Sequence, residues 1–124
     1  MSYRKTVVGL VIAFLILALS GCGTAEAKSM NGTWKDSGND FVAHIKPNHI
    51  DVYIMSEGSA FLYWRGDFRR KGTTHISKAN TKALSQSILG SENRFKIFYT
   101  SRNGRLWFQF SAMGMSKIVT MRQV

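Results

Sequence analysis

The chain has 124 residues, 17 of them basic and 7 acidic, for a net charge of +10, with a single cysteine and a single proline. That length accommodates one domain, and one thiol excludes both an intrachain disulfide and a thiolate metal cluster. A basic balance of this size calls for anionic partners: nucleic acid inside a cell, lipid headgroups or cell-wall polymers outside it.

The N-terminus decides between those compartments. Arg4 and Lys5 precede Thr6–Leu19, a charge-free run of fourteen residues. A spanning helix needs roughly 20 apolar residues to cross about 30 Å of hydrocarbon. The run instead has the length of a secretory h-region, closed by the small residues Ser20 and Gly21. Leu19-Ser20-Gly21-Cys22 resembles a bacterial lipobox, in which the cysteine sulfur receives a diacylglycerol and becomes the first mature residue. The resemblance implies cleavage between Gly21 and Cys22, lipidation of Cys22, and anchorage to the outer face of the cell membrane (or to the outer membrane in a diderm host). Each buried acyl CH₂ contributes about 0.8 kcal/mol, so two chains anchor stably without a transmembrane helix. Residues 1–21 carry away two of the 17 basic side chains and none of the 7 acidic ones, leaving a mature balance of +8. Outside the cell, the expected partners are anionic lipid, cell-wall polymer or another envelope protein, and not nucleic acid.

Residues 22–30, the lipidated cysteine and the small polar GTAEAKSM, read as a flexible tether. The remaining 31–124 reads as one β domain. A first strand surrounds Trp34, and Asp36 and Asp40 flank the turn after it. Phe41, Ala43 and Ile45 alternate with Val42, His44 and Lys46, and Ile50, Val52 and Ile54 with Asp51, Tyr53 and Met55. Pairing Ile45 with Ile50, Ala43 with Val52 and Phe41 with Ile54 places all six on one face. Ala60–Phe68 is an apolar-aromatic strand broken by Arg69-Arg70-Lys71-Gly72, and Thr73–Ala79 resumes. Asn80 or Thr81 caps a short helix through Leu89, with Leu84 and Ile88 as its buried stripe and Gly90 as terminator. Asn103-Gly104 marks a two-residue hairpin. It would pair Thr100 with Trp107, Tyr99 with Phe108 and Ile97 with Phe110. Phe95, Ile97 and Tyr99 then join Leu106, Phe108 and Phe110 in the core, while Phe98 and Trp107 face water. The last strand covers about Ser116–Arg122.

About eight short strands in some ninety residues predict an all-β fold, a small antiparallel barrel with one short helix, or alternatively a β-sandwich. Gly32-Thr33-Trp34 resembles the G-x-W of lipocalins and related calycin barrels. That resemblance implies closure between first and last strands, with Arg122 lying over the Trp34 indole. It also implies a carrier of a small apolar ligand as one alternative role, although the bulky inward set (Phe41, Ile54, Phe95, Tyr99, Phe108, Phe110) favours a filled interior. Leu62-Tyr63-Trp64-Arg65-Gly66, Ala83–Ser91 and the aromatic hairpin up to Met113-Gly114 resemble small lipoproteins of actinobacteria and their phages. This likeness implies an envelope setting and, because some phage lipoproteins block infecting relatives, superinfection exclusion as another alternative.

Nothing in the sequence promotes catalysis, a cofactor or a metal. His44, His49 and His75 lack ligand spacing and read as surface residues, and no serine sits in a nucleophile motif. Non-enzymatic binding is therefore the expected role, with Phe98 and Trp107 as aromatic anchors beside Arg69, Arg70 and Lys71. Trp, Tyr and Arg are the usual interface hot spots.

Overall fold

The structure is a computed structural model describing residues 29–124; the signal segment, Gly21, Cys22 and most of the tether lie outside them. Eight antiparallel strands close into a barrel in sequence order. They are β1 (Gly32–Asp36), β2 (Phe41–Lys46), β3 (His49–Ser56), β4 (Ser59–Lys71), β5 (Thr74–Ala79), β6 (Phe95–Thr100), β7 (Arg105–Ala112) and β8 (Met115–Gln123), with one helix, α1 (Thr81–Ser85), between β5 and β6. β1 pairs with both β2 and β8, so no strand edge is left open and the sandwich is excluded.

Hairpin β2–β3 has the register that its alternation predicts, with Phe41 opposite Ile54, Ala43 opposite Val52 and Ile45 opposite Ile50. Between β3 and β4 the register shifts after Val52, which faces Trp64 while Tyr53 faces Leu62. This bulge leaves Tyr63 unpaired and turns two consecutive large aromatics, Tyr63 and Trp64, into the interior. Trp64 donates from Nε1 to Ser77 Oγ at 2.9 Å, and Ser77 donates to the Asp67 carbonyl. Gly66 lets β4 and β5 pass closely there: a Cβ at that position would stand 2.2 Å from the Lys78 carbonyl oxygen.

Rings fill the centre. Phe41 and Tyr63 pack on Phe110 at centroid distances of 5.1 and 4.8 Å, and Phe98 packs on Phe108 at 5.2 Å.

Four expectations are corrected. Hairpin β6–β7 pairs Phe98 with Phe108, Tyr99 with Trp107 and Thr100 with Leu106, one residue away from the expected register. Its loop is Arg102-Asn103-Gly104: the Ser101 N–H donates to the Arg105 carbonyl, and only Gly104 has a positive φ, 79°. Three-residue loops of this kind place a glycine in the left-handed position. The slip exchanges the faces of β6, so Phe98 points inward and Phe95, Ile97 and Tyr99 point outward. Second, Arg69-Arg70-Lys71 does not break a strand; β4 continues through it to a turn at Gly72. Third, the Asn80 side chain caps α1 by accepting from the Ala83 N–H, but the helix stops at Ser85, and Ile88 is 84% exposed. Fourth, Trp34 pairs with Gln123 and Lys35 with Arg122, so Arg122 projects outward between Lys35 and Arg105. Trp34 is buried through a different contact, donating from Nε1 to the Met30 carbonyl at 2.8 Å.

Lys96 occupies the place where β6 and β7 diverge. Their ladder covers only Phe98–Thr100, and below it the Lys96 ammonium donates to the Gln109 carbonyl at 2.9 Å and to Asn93 Oδ1 at 3.0 Å. It also stands 5.2 Å from the Tyr63 ring centroid and 5.7 Å from that of Trp64. The side chain is buried, and these contacts satisfy its charge.

Candidate interaction surfaces

Alternate turns of an up-and-down barrel lie at the same end, so the topology sorts the loops into two groups. One end carries the turns Pro47-Asn48, Gly72-Thr73 and Arg102–Gly104, together with the start of β1 and the end of β8. Lys46, Arg69, Arg70, Lys71, Arg102, Arg105 and Arg122 cluster there, and all are exposed. Asp36, Asp40, Glu57 and Glu92 belong to the opposite end, beside Lys82, Arg94 and Lys117. Asp51 and Asp67 lie on the wall between; Asp51 is engaged, whereas the Asp67 side chain is 88% exposed. Asp51 accepts from Arg65 Nε at 2.8 Å and contacts His49 Nε2 at 2.8 Å, and Asp67 lies 3.5 Å from His49 Nδ1. The Asp51 carboxylate raises the Arg65 pKa above its ordinary value. The described charge is therefore polarised along the barrel axis, with one predominantly cationic end that Asp67 borders.

Ser29 and Asn31 reach that end, and the Gln123 side-chain amide holds them by donating to both of their carbonyls. They line an open groove of about 530 Å³ with Pro47, Phe68, Arg69 and Arg70. Just inside, His75 is 3% exposed rather than a surface histidine. It contacts Thr100 Oγ1 at 3.0 Å and stands edge-on to Phe68 at 5.9 Å, while its Nδ1 has no partner. Burial, and then the charge of Arg70, push its pKa below the ordinary imidazole value.

The second surface is the outer wall of β5–β8. Ile76 pairs with Ile97, and Phe95 lies two residues along β6 on the same face. Tyr99 stacks on Trp107 with centroids 5.6 Å apart and an interplanar angle of 16°. Ile76, Phe95, Ile97 and Tyr99 are 37–58% exposed. Arg69 faces Ile76, Lys78 faces Phe95, and a groove of about 1140 Å³ runs along this border.

Of the expected anchors, Trp107 belongs to this outer wall, and Arg69, Arg70 and Lys71 belong to the cationic end, with Arg69 shared by both. Phe98 is 1% exposed and belongs to the core. The outward Phe95, Ile97 and Tyr99 were missed because the hairpin register was off by one. A β6 carrying apolar residues on both faces was the available sign. Among the described residues no three His, Cys, Asp or Glu side chains converge on a possible metal position, and no helix is long and apolar enough to cross a membrane. No protein-family model and no curated protein matches the chain.

Proposed function

We propose that this chain is an envelope lipoprotein, exported by residues 1–21, anchored through Cys22, and acting as a non-enzymatic binding module. The observation that carries the binding role is the outer wall of β5–β8. Soluble monomers rarely leave a large contiguous apolar patch in water, and such patches mark interaction sites. Here the patch combines stacked Tyr99 and Trp107 with Ile76, Phe95 and Ile97, and Arg69 and Lys78 form its border. The complementary partner is another envelope protein with an apolar patch and an acidic rim. Dense packing of rings inside the barrel supports this surface role over that of an internal carrier.

A photo-crosslinking residue at Ile97, installed in cells, tests the proposal. Crosslinks to one envelope protein should form there, be absent from the same probe at Val42 on the opposite wall, and disappear in Trp107→Ala. Equal crosslinking from Val42 would overturn the assignment of this face.

A further inference from the structure

We infer that the cationic end of the barrel docks on the anionic headgroups of the membrane that holds the anchor, setting the barrel upright with its aromatic wall facing sideways. The inference rests on the anchor proposed above. It is carried by where the chain enters the barrel.

Seven residue steps separate Cys22 from Ser29. A fully extended chain covers at most about 3.6 Å per residue, or about 25 Å in all, and a flexible one averages nearer 15 Å. Ser29 and Asn31 are pinned by Gln123 at the cationic end, beside Arg69 and Arg70. An eight-residue strand such as β7, tilted about 40°, spans roughly 20 Å of barrel height. Turning the opposite end to the bilayer would consume most of the tether. The shortest arrangement brings Lys46, Arg69, Arg70, Lys71, Arg102, Arg105 and Arg122 to the headgroups.

Charge favours the same pose. Among the described acidic side chains only Asp51 and Asp67, both against His49, approach the cationic end, where seven basic side chains outnumber them. Asp36, Asp40, Glu57 and Glu92 would meet anionic lipid if the barrel inverted. Basic side chains near an anionic surface add attraction one by one, and the field decays within a Debye length of about 8–10 Å. The tether keeps the end close enough to approach within that distance, where the attraction acts. The groove of about 530 Å³ beside Arg69 and Arg70 gives a phosphate a concave seat.

The test uses the mature chain from residue 22 with Cys22→Ser, so that no acyl chain contributes. It is sedimented with vesicles of phosphatidylcholine, with or without about one-third phosphatidylglycerol. Anionic vesicles should bind at least about tenfold better, and the difference should vanish near 0.5 M salt. The triple variant Arg69→Gln/Arg70→Gln/Lys71→Gln should weaken binding by about a hundredfold. Removing the same charge from the opposite end, with Lys82→Gln/Arg94→Gln/Lys117→Gln, should change it less than about twofold. Arg102→Gln/Arg105→Gln, on a different hairpin, should weaken it independently of any effect on β4. Equal losses from the two triples would mean that net charge alone binds, and would overturn the docking pose. So would the absence of any preference for anionic vesicles. Cells supply the separate readout: an unlabelled Cys22 in a lipid-labelling experiment would overturn the anchor and leave the vesicle result to be judged on its own.

Discussion

Hairpins β2–β3 and β6–β7 sit on the same barrel and are built from similar residues, yet only the first shows its register in its sequence. In β2, Val42, His44 and Lys46 separate three buried apolar residues, so only one face can be the interior. In β6, the sequence Phe95-Lys96-Ile97-Phe98-Tyr99 has large apolar groups on both faces. The turn then has to decide. Asn103-Gly104 fits both a two-residue loop and the three-residue loop that forms, and one residue of difference exchanges the faces. Alternation fixes register where one face is polar; where both are apolar, side chains from distant strands settle it.

The largest test of that contrast is a pair of truncations. Phe108→Ala should cost about 3–5 kcal/mol in chemical denaturation, because the ring lies among Phe41, Tyr63 and Phe98. Ile97→Ala, on the outward face, should cost less than about 1 kcal/mol. Similar losses at the two positions would return the hairpin to the other register.

Lys96 sharpens the comparison further, since β2–β3 has no counterpart to a buried ammonium. Lys96→Met keeps most of the volume and removes the ammonium donor from the Gln109 carbonyl and from Asn93 Oδ1, which keeps only the Ser91 hydroxyl. A loss of about 1–3 kcal/mol is expected. An unchanged unfolding midpoint would show that the ammonium adds nothing to closing the gap between β6 and β7.

Within the turn, Gly104→Ala should cost about 1–2 kcal/mol because the left-handed conformation crowds a Cβ. Asn103→Val should cost less than about 0.5 kcal/mol, since Asn103 is not among the positive-φ residues. A two-residue loop, which puts Asn103 itself at positive φ, would instead make Asn103→Val clearly destabilising.

The smallest effect is pH-dependent and centres on His75, opposite Arg70 on β4 and Phe98 on β6. Its folded pKa is lowered, so on acidification the unfolded chain takes the proton first. Stability should decline as pH falls below about 6.5, the ordinary imidazole value, and level off below the depressed folded value. Subtracting the profile of His75→Gln isolates this contribution. A difference that grows in favour of the histidine protein as pH falls would reverse the sign and sink the assignment.

The legible parts of the molecule are those fixed by local chemistry. The β2–β3 register, the Asn80 cap and pairing of the first strand with the last follow from alternation, a side-chain acceptor and the need to remove open edges. Ile88 was misread because a stripe needs a helix long enough to carry it, and α1 ends after five residues. Arg122 was misread because closure fixes which strands meet but not their offset; a shift of one residue puts Gln123 opposite Trp34. Lys96 was illegible for a deeper reason. Its burial depends on the bulge at Tyr63 and on a short ladder with β7, neither visible near position 96, and on Asn93, which three residues away gives no sign by itself of accepting from an ammonium. The cationic end was half legible: Arg69-Arg70-Lys71 stands out as a run, but only the topology adds Lys46, Arg102, Arg105 and Arg122.

The attachment of β1 also has a mechanical consequence. On a Cys22 anchor, any pull on the barrel enters at Gly32 and runs along the strand. The ladder bonds to β2 and β8 lie across that direction, so they take the load together in shear instead of parting one by one. The Gln123 amide, gripping Ser29 and Asn31, meets the force before it reaches the ladder. In the proposed pose the five-residue strand would be the joint through which that load passes into the barrel.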